Sequence, residues 1–130
     1  MLVRMLGRHS AVTAFQELHF VEELWLPAVD TTLGIAGTLA ALADRLLHNQ
    51  FAWYHDRFEP GRFEEQAYAA VRGLVAPIRA TTVSEAVLRT VCVDAGTSVA
   101  VEQTPRSVLH LQELLDAVPD SRAVVTPQVS

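Results

Sequence analysis

Asp44, His48, His55 and Glu59 are the residues of this chain whose types and spacing suit chemistry best. Wound at about 100° per residue, they fall nearly in line on one side of a helix, with the small Ala52 between the two histidines. Imidazole nitrogens hold transition metals, and a carboxylate one turn away is a usual ligand or orienting partner. A rise of about 1.5 Å per residue brings i,i+4 pairs within reach of a shared ion but leaves i,i+7 residues about 10 Å apart. Asp44 with His48, and His55 with Glu59, therefore form two candidate chelating pairs and not one four-ligand centre. The plainer reading of the same residues is a solvated polar face whose pairs support the helix by about 0.2–0.5 kcal/mol each.

A second candidate is Glu22 with His19. Glu22 falls between Leu18 and Trp25 on an otherwise apolar side, where desolvation raises a carboxyl pKa and suits it to general acid or base work. The competing expectation is a side chain that simply reaches solvent past its neighbours. Phe51, Trp53, Tyr54 and Phe58, followed by Phe63, are candidates to line a ligand pocket; aromatics at helical spacing serve equally as core or as a dimer contact. His110, beside Leu109 and Leu111, has no partner identifiable from spacing.

Other chemistries are excluded by what the chain lacks. All ten basic residues are Arg, so lysine Schiff bases, a P-loop lysine and a kinase-type lysine are ruled out. The single Cys92 sits in the apolar run Val91-Cys92-Val93 and permits neither an intrachain disulfide nor a Cys-only zinc site. There is no GxSxG, HExxH, CxxC or GxGxxG. No resident cofactor is expected.

These residues must be positioned by helices. Asp30 to Glu59 reads as one long helix, capped by Asp30, with Ile35, Leu39, Leu42, Leu46, Leu47, Phe51, Trp53, Tyr54 and Phe58 on a broad apolar arc. Gly34, Gly37, Ala40 and Ala41 give its first half small side chains that allow close packing. Before it, Ser10 caps a helix from Ala11 to about Leu26, with Ala14, Phe15, Leu18, Val21 and Trp25 on one side and Pro27 after it. After the Glu59-Pro60-Gly61 break, a third helix from Arg62 to about Val75 faces inward with Phe63, Ala67, Ala70, Val71 and Leu74.

The texture changes beyond Ala80. Val87 to Val93 is rich in β-branched residues, Asp94-Ala95-Gly96-Thr97 suits a turn, and Ser98 to Glu102 suits a strand, which predicts a β-hairpin. The alternative is a helix entered through a capping box at Thr82-Val83-Ser84-Glu85 and stopped by Gly96. A final helix from Thr104-Pro105 to Val118 and a short strand from Arg122 to Thr126 complete the expected order. Val91-Cys92-Val93-Asp94, with the later Ala123-Val124-Val125-Thr126-Pro127, is similar to the opening strand, acidic residue and second strand of PIN-type nucleases. That likeness spans only the last third, and no residue role is taken from it.

The expectation is thus a single α+β domain, predominantly helical: three N-terminal amphipathic helices, a small β-hairpin, a C-terminal helix and a short final strand. With 50% apolar and 19% charged residues the composition is that of a globular protein that buries roughly 65–70% of its unfolded surface. A net charge of −5 with no basic run argues against nucleic acid and against an anionic membrane surface. Met1 to His9 lacks the apolar core of a secretory signal, and no uncharged stretch approaches the ~20 residues of a membrane span, so a cytoplasmic protein is expected. The function expected is a non-enzymatic interaction or assembly module that self-associates through apolar helix faces, as a homo-oligomer or with a protein partner. The alternative is a small enzyme or ligand- or metal-binding protein with His and Glu around a pocket.

Overall fold

The computed structural model describes residues 8–16, 18, 20, 32–33, 36–52, 57–75, 78–102, 112, 115–116 and 118. Within them the elements run β1 (Val12–Ala14), β2 (Thr32–Leu33), α1 (Ala36–Phe51), α2 (Glu64–Val71), β3 (Ile78–Arg79), α3 (Ala80–Ala95) and β4 (Val99–Val101). The architecture is mixed helix and sheet, with helix predominant. No helix among the described residues is long and apolar enough to cross a membrane.

α1 is the centre of the packing. Leu39, Ala40, Ala43, Leu46 and Leu47 are buried, and so are Asp44, His48 and Asn49. Its exposed positions Thr38 and Ala41, with the half-buried Leu42 and Arg45, recur at intervals of three and four, which leaves one narrow stripe facing water. The remaining circumference packs against α2, α3 and the β1-to-Phe20 segment, whose Phe15, Leu18 and Phe20 join the same core.

The long-helix expectation is corrected at both ends. Thr32 and Leu33 form a strand and α1 begins at Ala36, and it stops at Phe51, with Arg57, Phe58 and Glu59 not helical. Gly61, at φ 86°, then turns the chain into α2, whose start carries Glu64 and Glu65. α2 buries Ala67 and Val71, with Phe63, Ala70 and Leu74 partly buried beside them, which is the inward face read from the sequence.

Two further expectations are overturned. The first helix does not begin at Ala11: Val12–Ala14 is a strand, paired in parallel with β4 in the register Val12↔Val99, Thr13↔Ala100 and Ala14↔Val101, and of the rest of 11–26 only Phe20 is helical among the described residues. The hairpin is replaced by the helical alternative, since Ala80–Ala95 is one helix. Tertiary burial overrides β propensity there: Val83, Val87 and Val91 recur every four residues and stack onto the core. Thr90 satisfies its hydroxyl within the helix by donating to the Ala86 carbonyl at 2.8 Å. At the start, the Arg79 N–H donates to Thr82 Oγ1 at 3.2 Å. At the end, Gly96 adopts φ 73° and donates to the Val93 carbonyl at 3.1 Å, while Thr97 N–H reaches the Cys92 carbonyl at 2.8 Å. Val91 to Asp94 therefore lie in a helix, so the resemblance to the opening strand of PIN-type nucleases does not hold.

β2 and β3 pair antiparallel, Thr32↔Arg79 and Leu33↔Ile78, and β3 leads directly into α3. Both sheets are two-stranded among the described residues. The expected C-terminal helix and the strand from Arg122 to Thr126 lie outside the described residues, apart from isolated positions such as Gln112, whose amide donates to Asp116 Oδ1 at 2.9 Å.

Candidate functional site

Asp44 is the candidate residue whose role the geometry defines most closely. Its carboxylate is 5% exposed and leaves α1 toward the turn ahead of α2. Oδ2 accepts from the Gly61 N–H at 2.7 Å, and Oδ1 accepts from the Phe63 N–H at 2.8 Å. Phe63 is the N-cap of α2 and makes no side-chain cap of its own. Asp44 therefore supplies from a neighbouring helix the acceptor and the negative charge that a helix start favours. Both oxygens are engaged by backbone, so the residue acts as a clamp between two helices.

His48 is 1% exposed, not solvated. Its ring meets Phe58 edge-on, with centroids 5.3 Å apart and planes at 86°. The Arg45 guanidinium lies 4.5 Å from the centre of the same phenyl ring. The expectation of a polar face toward water is thus corrected for Asp44 and His48: α1 has protein around most of its circumference, and its polar stripe is turned inward. Glu59 is exposed beyond the helix, and its carbonyl accepts from Arg62 N–H at 3.2 Å in the turn. It shares no helix face with Asp44. Among the described residues no three His, Cys, Asp or Glu side chains come together as a metal site. His19, Glu22, Trp53, Tyr54 and His55 lie outside the described residues.

Phe51 and Phe58, two of the aromatic candidates, have different neighbours. Phe58 is half-buried in the His48–Arg45 group, whereas Phe51 is 57% exposed, with its ring centroid 6.2 Å from that of Phe63. The Arg62 guanidinium is 5.4 Å from the Phe63 ring. Cys92 is buried, as its sequence setting implied.

Three polar residues missed by the sequence reading hold the backbone of Gln16 and Leu18, which follow β1. Asn49, 1% exposed, donates from Nδ2 to the Leu18 carbonyl at 2.7 Å. Gln50 Oε1 accepts from the Gln16 N–H at 2.8 Å, and Glu102 Oε1 accepts from the Leu18 N–H at 3.2 Å. A signal existed for one of them: Asn49 falls in the stripe Leu42, Leu46, Asn49, where an amide among leucines requires a buried partner. Nothing comparable marked Gln50 or Glu102. At the end of α3, the Thr97 hydroxyl lies 3.3 Å from the Cys92 carbonyl and shares a hydrogen bond with the Thr13 hydroxyl that ties β1 to the helix end.

Comparison with known proteins finds no matching protein family, no matching curated protein and no matching solved structure.

Proposed function

We propose that this chain is a non-enzymatic assembly module that binds a second copy of itself through apolar helix surface. The observation that carries the reading is Phe51, an aromatic side chain left 57% exposed at the end of α1 and backed by Phe63. Burying such a ring against a partner contributes about 1.5–3 kcal/mol, and aromatic and Arg side chains dominate the energetics of protein interfaces. Arg62 adjoins this pair, and the exposed Glu59, Glu64 and Glu65 belong to the same turn and helix start. Both charge signs in one patch suit an isologous contact, in which each Arg62 meets a carboxylate of the other copy across a two-fold axis. The engagement of both Asp44 oxygens by backbone favours this reading over an acid–base or metal site on α1.

Sedimentation velocity across a concentration series tests it. The wild-type chain is expected to show concentration-dependent association, and Phe51→Asp to sediment as a monomer with an unchanged thermal melt. A wild-type chain that stays monomeric up to millimolar concentration overturns the proposal.

A further inference from the structure

We draw no further inference here: the strongest candidate, the side-chain cluster that His48 and Arg45 of α1 form with Phe58, belongs to the site already described, and nothing among the described residues there points to a ligand.

Discussion

Replacing Asp44 with alanine removes the clamp between α1 and α2 without touching either helix backbone. Two donors lose their acceptors at once, the Gly61 and Phe63 N–H groups now bonded at 2.7 and 2.8 Å. An orphaned, desolvated donor costs about 1–3 kcal/mol, more where the lost partner is charged. Both donors are part-buried, so water recovers some of that loss. Alanine is also the better helix former, by up to about 0.7 kcal/mol. The net expectation is a loss of about 2–4 kcal/mol, a large fraction of the 5–15 kcal/mol typical of a domain. Asp44→Asn keeps one acceptor oxygen and is expected to lose about half as much. Urea denaturation measures both: the midpoint falls while the slope against denaturant holds, because the surface exposed on unfolding is unchanged. By melting temperature the alanine variant falls roughly 8–15 °C. An Asp44→Ala chain within about 0.5 kcal/mol of wild type would refute the clamp and return Asp44 to the list of groups free for chemistry.

The remaining outcomes follow from the same local geometry. Gly61→Ala and Gly96→Ala meet no neighbour within 4 Å, so any loss comes from their φ of 86° and 73°; each is expected to cost about 1–2 kcal/mol by urea midpoint, whereas Gly73→Ala, equally open and free of that conformation, is neutral or slightly stabilising. Equal effects at all three would remove the backbone argument. Asn49→Ala strands the Leu18 carbonyl and opens space beside Leu46, and is expected to lose about 1–3 kcal/mol while the Gln16 and Leu18 amides exchange faster with solvent. Unchanged exchange there would show that Asn49 does not hold the segment.

The helices are legible in the sequence to unequal degrees, and the reason is physical. α2 carries a single apolar stripe, so its period alone identifies the inward face: Ala67, Val71 and their flanking residues. α3 is ambiguous, because a run of valines satisfies a strand and a helix alike; Val83, Val87 and Val91 decide for the helix only when a core lies along one side of them. Asn49 stands out as an amide among leucines, though its partner does not.

Composition and period alone established what the chain lacks, lysine chemistry and an intrachain disulfide, and which face of α2 is apolar. They set the angle between one side chain and the next along α1, but not which arc would meet protein. Folding decided that Asp44 and His48 turn inward, that Phe51 stays in water, and that β1 finds β4 across most of the described chain. A helical period is a property of neighbours in sequence, whereas burial depends on how many other elements surround the helix. That number exists only once the chain has packed.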